Sequence, residues 1–300
     1  MTDCAALAAR YMPEAAANVE YSIDHRPALH SVTLPLGARA RQHIADAGAA
    51  MRFGGSWAVA VARMIDAILP PVVLLRIDSE RAQVAGLTAY LRFQQEPSGD
   101  ALSALLLRTC GVVTQPARLT AVAAALGCPG ARGIGLRGGL DGSNKLAVYF
   151  KVERDLASFA AGAVERLMID CGWPPDCAQA IQADLRAVHV GGSVGVIGID
   201  LDDTGAISAL KCDPANVPLE RVQAFLRLKN APLERIRAFE SMSRAMRARS
   251  LSYLGIKYTP EGFAGWRLYF SSRPDAHRST AQPALFVDSP GTAALRMPHY

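Results

Sequence analysis

Residues 143–154 read SNKLAVYFKVER. In an extended chain successive side chains point to opposite faces, so Lys145, Tyr149 and Lys151 share one side and Leu146, Val148, Phe150 and Val152 the other. Four large apolar residues on one face require a helix layer over them. Two cations and a phenol on the opposite face suit an enclosed polar space such as a barrel lumen.

Working outward, the same arrangement recurs. Hairpin patterns are predicted over 71–95 (PVVLLRIDSERAQVAGLTAYLRFQQ), 132–152 (RGIGLRGGLDGSNKLAVYFKV), 192–213 (GSVGVIGIDLDDTGAISALKCD) and 250–272 (SLSYLGIKYTPEGFAGWRLYFSS). A fifth and abbreviated one is predicted over 283–300 (PALFVDSPGTAALRMPHY). Asp141-Gly142 and Pro260-Glu261-Gly262 are turn signals between strands. Helical stretches fall between the hairpins, at about 100–109, 115–126, 155–171, 175–189, 218–228 and 232–249, with another at 56–69 before Pro70-Pro71.

The incoming strands LLRI, GLRG and GIKY place Arg76, Arg137 and Lys257 at equivalent points. The outgoing strands TAYLRF, AVYFKV and RLYFSS do the same for Tyr90, Tyr149 and Tyr269. Five antiparallel hairpins with helices between them can close edge to edge, which removes exposed strand edges. The fold expected is α/β, a ten-stranded antiparallel barrel of five αββα repeats with helices outside. Residues 1–55 read as an N-terminal arm and helix packed on the barrel, broken by Pro27 and Pro35, and 56–300 as a single barrel domain.

Composition narrows the function classes. The chain has 300 residues, half of them hydrophobic, and a formal net charge of +5 with the basic residues scattered. That argues for a globular protein and against a nucleic-acid partner. No run approaches the ~18 apolar residues of a membrane span. The start, MTDCAALAARYMPEAAA, lacks the apolar segment of a signal peptide. Six cysteines without CxxC or histidine spacing predict reduced thiols and no zinc site. A cytoplasmic location is the expectation.

The series GIGLRGGLDGSNKLAVYFKV, VGVIGIDLDDTGAIS, RSLSYLGIKY and AALRMPHY resembles the ABBA prenyltransferases, most closely the cyanobactin-type peptide prenyltransferases, over roughly residues 70–300. The resemblance implies a prenyl diphosphate donor, a cyclic or linear peptide acceptor, and Mg²⁺ as a neutraliser of diphosphate charge. Cations around the diphosphate would stabilise the leaving group as its charge grows. Arg137, Lys145, Lys151, Lys257 and Arg267 are assigned this role, with Arg76 and Arg296 beside them. Tyr149, Tyr269 and Tyr300 are assigned to shield the allyl cation from water. Lys211 and Arg92 are read as surface or helper charges.

By the same resemblance, Tyr253 in SLSYLG occupies the position whose bulk favours a five-carbon donor. Family members carry a glutamate on the first barrel strand that takes the acceptor's proton. With that strand placed at VVLLRID there is no acid before Asp78, so Asp78, Asp200 or Glu20 on the arm are the candidate bases. Asp200, Asp202 and Asp203 lead into a Thr-Gly turn and lack the helical DDxxD that holds diphosphate-bound metal, so no residue is assigned as a metal ligand. Two other readings remain: an ABBA enzyme for a small aromatic acceptor, and a non-catalytic barrel binding an anion.

Overall fold

The structure is a computed structural model that describes residues 9–10, 19–26, 29–50, 54–81, 83–139, 144–155, 162–188 and 193–271. Its strands form one closed sheet in the order β11-β1-β2-β3-β4-β5-β6-β7-β8-β10, with β10 and β11 also paired to each other and a short β9 continuing beside β10. The hairpins are β1 (Glu20–Asp24) with β2 (Leu29–Leu36), β3 (Val73–Glu80) with β4 (Gln83–Arg92), β5 (Gly133–Gly139) with β6 (Asn144–Asp155), β7 (Ser193–Leu201) with β8 (Ile207–Asp213), and β10 (Ser250–Thr259) with β11 (Gly262–Ser271). The short β9 spans Ala215–Pro218. This is the ten-stranded antiparallel barrel expected.

The fifth hairpin is not the one the sequence pointed to. Residues 19–36, read as an arm, supply β1 and β2, and β1 closes the barrel by pairing with β11 through Glu20↔Ser271, Ser22↔Tyr269 and Asp24↔Arg267. The division at residue 55 is therefore overturned, because the first two barrel strands lie before it. Pro35 is no interruption either. It sits inside β2 opposite Leu74, past the last β1 pairing at Glu20↔Thr33, where among the described residues β2 has a neighbour on one side only. The hairpin predicted over 283–300 lies outside the described residues.

Helix pairs separate the hairpins: α1 (Ala40–Ala50) and α2 (Gly54–Ile68), α3 (Gly99–Cys110) and α4 (Pro116–Leu126), α5 (Ala163–Cys171) and α6 (Pro175–Val188), α7 (Leu219–Leu228) and α8 (Leu233–Ala245). The sequence reading missed α1. Ser98 caps α3 by accepting a hydrogen bond from the Ala101 amide, and Gly127 ends α4 in the left-handed conformation.

Two apolar layers follow from strand alternation. Leu146, Val148, Phe150 and Val152 join Leu75, Ile197, Leu254 and Leu268 in the core under the helices, whereas Leu74, Tyr90, Tyr149, Val196 and Tyr253 pack inside the lumen. Trp57 of α2 anchors the helix layer: it is fully buried and its Nε1 donates to the Leu136 carbonyl at 2.9 Å. Gly138 gives it room, since a Cβ there would meet the indole at 3.0 Å. Truncating a buried tryptophan typically costs ~3–5 kcal/mol.

Candidate active site

Inside the barrel, at the end where the hairpins turn, a cavity of about 350 Å³ is lined by Arg76, Arg137, Lys145, Lys211, Lys257 and Arg267, with Asp24 and Asp200 among them. Adjacent strands set this concentration, because Arg76 lies opposite Thr88, Thr88 opposite Arg137, and Arg137 opposite Lys145. On the far wall Lys257 lies opposite Lys211. One turn of the barrel thus carries a cation on six of its ten strands.

Three carboxylates hold five of these six cations in place, all but Lys145. Asp78 is fully buried, accepts from Ser31 Oγ at 2.6 Å, and is ion-paired with Arg76 at 3.0 Å, Arg137 at 3.3 Å and Arg267 at 3.4 Å. Burial alone would push it up, but the Arg76, Arg267 and Arg137 guanidiniums draw it down to about 2. Asp24 accepts two hydrogen bonds from Arg267, at 2.6 and 3.1 Å, and is also held by Arg26 and His25. Asp200 binds Lys257 at 2.8 Å and also Lys211. Burial opposes its charge, and Lys211 and Lys257 prevail and hold it below the usual range. Burial also lowers Arg137 and Lys257, and their carboxylate neighbours offset only part of that. Those two cations would be stabilised by an added anion.

Deeper in the lumen stand the tyrosines. Tyr90 and Tyr149 meet at 5.8 Å between ring centroids, and Tyr253 stands edge-on to Tyr269 at 6.4 Å. Arg76 donates to the Tyr90 hydroxyl and lies over its ring, while Lys211 Nζ lies over the Tyr149 ring. Three lumen glycines make this possible. A Cβ at Gly135 would meet both Tyr90 and Tyr149 at 3.1 Å, one at Gly198 would meet Tyr149 at 2.8 Å, and one at Gly255 would meet Tyr269 at 3.1 Å.

Past the rings, Glu20 and Asp213 face a small space of about 30 Å³ shared with Thr33, Tyr90, Tyr149, Val196, Tyr253 and Tyr269. Burial, then the charge of Asp213, pushes Glu20 up to about 8. Burial pushes Asp213 up to about 7, against Lys211, Arg267 and Arg76. Both therefore accept protons near neutral pH.

Most of the predicted residues converge on this lumen. Arg76, Arg137, Lys145, Lys257 and Arg267 form the mouth; Tyr149, Tyr269 and Tyr253 form the chamber. Lys151 does not join the mouth: it follows Tyr149 on β6 opposite Val196, at the other end of the lumen. Asp78 and Asp200 are corrected as bases, because arginine and lysine occupy their lone pairs and hold them ionised. Lys211, read as peripheral, is part of the mouth. Arg92 is buried at the end of β4 and does not line the mouth. Arg296 and Tyr300 lie outside the described residues. Glu20, placed on an arm, is on the first barrel strand, which is where the resemblance asks for a glutamate.

Asp213 was missed. It lies two residues beyond Lys211 on β8, hence on the same face, and it closes the hairpin predicted over 192–213, where period-two alternation applied to the last residue would have found it. The residues present do not fit a protein-held magnesium. Among the described residues no group of three His, Cys, Asp or Glu side chains converges, and Asp24, Asp78 and Asp200 are committed to cations.

No protein-family model matches the chain, and no curated protein matches it by sequence. Solved structures do. The 5-dimethylallyltryptophan synthase from Streptomyces coelicolor superposes with a TM-score of 0.56 at 17% identity, covering 85% of this chain and 81% of that one. AnaPT from Neosartorya fischeri gives 0.59 at 10%, covering 84% and 77%. The 6-dimethylallyltryptophan synthase from Micromonospora olivasterospora, solved in complex with DMASPP and Trp, gives 0.55 at 12%, covering 85% and 81%. The fold is that of the ABBA prenyltransferases. Among the described residues no helix is long and apolar enough to cross a membrane.

Proposed function

We propose that this chain is a prenyltransferase that moves a dimethylallyl group from dimethylallyl diphosphate to a side chain of a ribosomal, often macrocyclic, peptide. The observation that carries the reading is the order of groups along the lumen: cations at the mouth, tyrosine rings in the middle, a protonatable carboxylate at the floor. Arg76, Arg137, Lys145, Lys211, Lys257 and Arg267 bind the diphosphate and take up the charge that grows as the C1–O bond breaks. Tyr149, Tyr269 and Tyr90 face the allyl cation with their rings and keep water away. Glu20 accepts the acceptor's proton. Magnesium would arrive with the diphosphate, since among the described residues no cluster of metal-ligating side chains is present to hold it.

Two features bear on the substrates. Tyr253 is 5% exposed and faces the lumen, so its ring fills volume that a second isoprene unit would need. The floor space is narrow and adjoins the large cavity through Tyr90, Tyr149, Asp213 and Tyr269, which favours the tip of an inserted side chain over a whole free amino acid. A small aromatic acceptor is the second reading, favoured by neighbours described as dimethylallyltryptophan synthases.

The test is incubation of the full chain with dimethylallyl or geranyl diphosphate and Mg²⁺ against cyclic peptides offering Tyr, Trp, His, Arg or Ser, read by mass spectrometry. One added isoprene unit on one peptide is expected, and Tyr253→Ala is expected to raise use of the ten-carbon donor at least ~10-fold, the scale of a cavity the size of a few methylenes. Turnover confined to free tryptophan or small phenols would replace the peptide reading with the second one. Uptake of the geranyl group by the unaltered chain would overturn the role of Tyr253.

A further inference from the structure

Every hydrogen-bonding group that faces the floor and lacks a partner among the described residues is an acceptor or can become one. Among the described residues neither Glu20 nor Asp213 has a hydrogen-bond or ion-pair partner for its carboxylate, although both face the same enclosed space. That contrasts with Asp24, Asp78 and Asp200, each of which is held by two or more cationic side chains. The hydroxyls of Tyr149 and Tyr253, on residues only 8% and 5% exposed, line the same space and likewise make no hydrogen bond to a described residue. Two carboxylates in one enclosed space, without a counter-charge among the described residues, are costly unless a proton or a cation joins them.

Resting on the prenyl-transfer reading, we infer that the acceptor is bound as a cation, the guanidinium of an arginine side chain, where the large cavity narrows into the floor: Asp213, Tyr149 and Tyr269 line both spaces, and Glu20 and Tyr253 stand behind them. A guanidinium is flat and carries five N–H donors and a charge, and it stacks on aromatic faces. It matches two carboxylates and two phenol oxygens in donor count, charge and shape. A phenol or indole offers one N–H or O–H and no charge, which would leave one carboxylate without a counter-charge. Raised proton affinities at both acids accord with a site awaiting positive charge.

The step balances. Glu20 takes one proton from a guanidinium nitrogen; the lone pair so released forms the N–C1 bond while C1–O breaks; the bonding pair departs with diphosphate into the mouth cations. The product is again a guanidinium, which Asp213 continues to face. Asp213 thus sets which acceptor is held, and Glu20 carries the proton.

The experiment uses the full chain and four cyclic peptides identical except for one position, Arg, citrulline, Tyr or Trp, with dimethylallyl diphosphate. The arginine peptide is expected to gain one isoprene unit and the citrulline peptide none, since citrulline keeps the shape and loses the charge. Asp213→Asn is expected to raise KM for the arginine peptide at least ~10-fold, the scale of one lost charge-assisted hydrogen bond, while the citrulline peptide stays unmodified. Calorimetry with N-acetylarginine amide in two buffers of different ionisation enthalpy adds a readout independent of turnover: binding with proton release is expected, weakened by Asp213→Asn. Modification of the Tyr or Trp peptide alone would overturn the guanidinium proposal and leave prenyl transfer standing. Failure of every peptide together with calorimetric binding of the guanidinium would sink the transfer reading and keep the cation site; absence of that binding overturns the site.

Discussion

The two ends of the lumen treat carboxylates in opposite ways. At the mouth, Asp24, Asp78 and Asp200 are buried and each is enclosed by cations; at the floor, Glu20 and Asp213 are half-buried and line one space with tyrosine rings. A carboxylate surrounded by guanidiniums stays ionised and serves as a rivet. A carboxylate surrounded by phenols is poised to exchange protons. The difference lies in the neighbours, which here are set by which residue stands opposite on the next strand.

Removing the rivet is the most drastic way to break this comparison. Asp78→Ala leaves Arg76, Arg137 and Arg267 facing one another without a counter-charge, and loss of one partner of a buried pair costs ~3–5 kcal/mol. Chemical denaturation at pH 7 is expected to show that loss, and a change within ~0.5 kcal/mol would mean that the cations find other partners. The same carboxylate gives a pH signature: held near 2 when folded and higher when unfolded, Asp78 contributes stability that is present above the ordinary carboxylate range and lost as pH falls toward 2.

At the floor the sign reverses. Glu20 binds its proton more tightly in the folded chain, up to about 8, so the unfolded chain holds fewer protons as pH rises from the ordinary glutamate range to 8, and stability falls across that window. Its environment includes Asp213, Arg76, Arg267 and Tyr253. Glu20→Gln is expected to flatten this decline in a thermal-melt series from pH 5 to 9 while lowering turnover by ~10²–10⁴-fold. A parallel decline in both proteins would assign the window to another group.

The finest distinction is between two lysines that sequence treated alike. Lys257→Ala is expected to weaken donor binding by roughly 10-fold, the scale of one charge-assisted contact, whereas Lys151→Ala changes it by less than about 2-fold. Equal effects in isothermal titration with a non-hydrolysable donor analogue would erase the boundary drawn between mouth and far end.

Much of the barrel could be read from residue patterns because alternation is a local property. Residues 143–154 display both faces, and Arg76, Arg137 and Lys257 repeat at matching points. The first hairpin escaped because its lumen face carries Ser22, Ser31 and Thr33, small polar residues that do not read as a strand in the making, and because Pro27 and Pro35 look like breaks. The commitment of Asp78 was beyond reach for a different reason. One of its partners, Arg267, is 189 positions away, and only closure of the sheet brings them together. Asp213 fell between: its register was visible, but the pocket that raises its proton affinity draws on β1, β4, β6 and β11.

The pairing of β1 with β11 has a consequence for biosynthesis. Asp24 and Arg267, which meet across that seam, are 243 positions apart, so β1 must wait through the synthesis of every other described barrel strand before the ring is complete. Until then β1 presents an open edge, and Glu20 and Tyr269 stand on strands that have not met. A nascent chain interrupted before β11 would carry four hairpins and their helices yet lack Arg267 and Tyr269, so neither the mouth nor the floor would be complete.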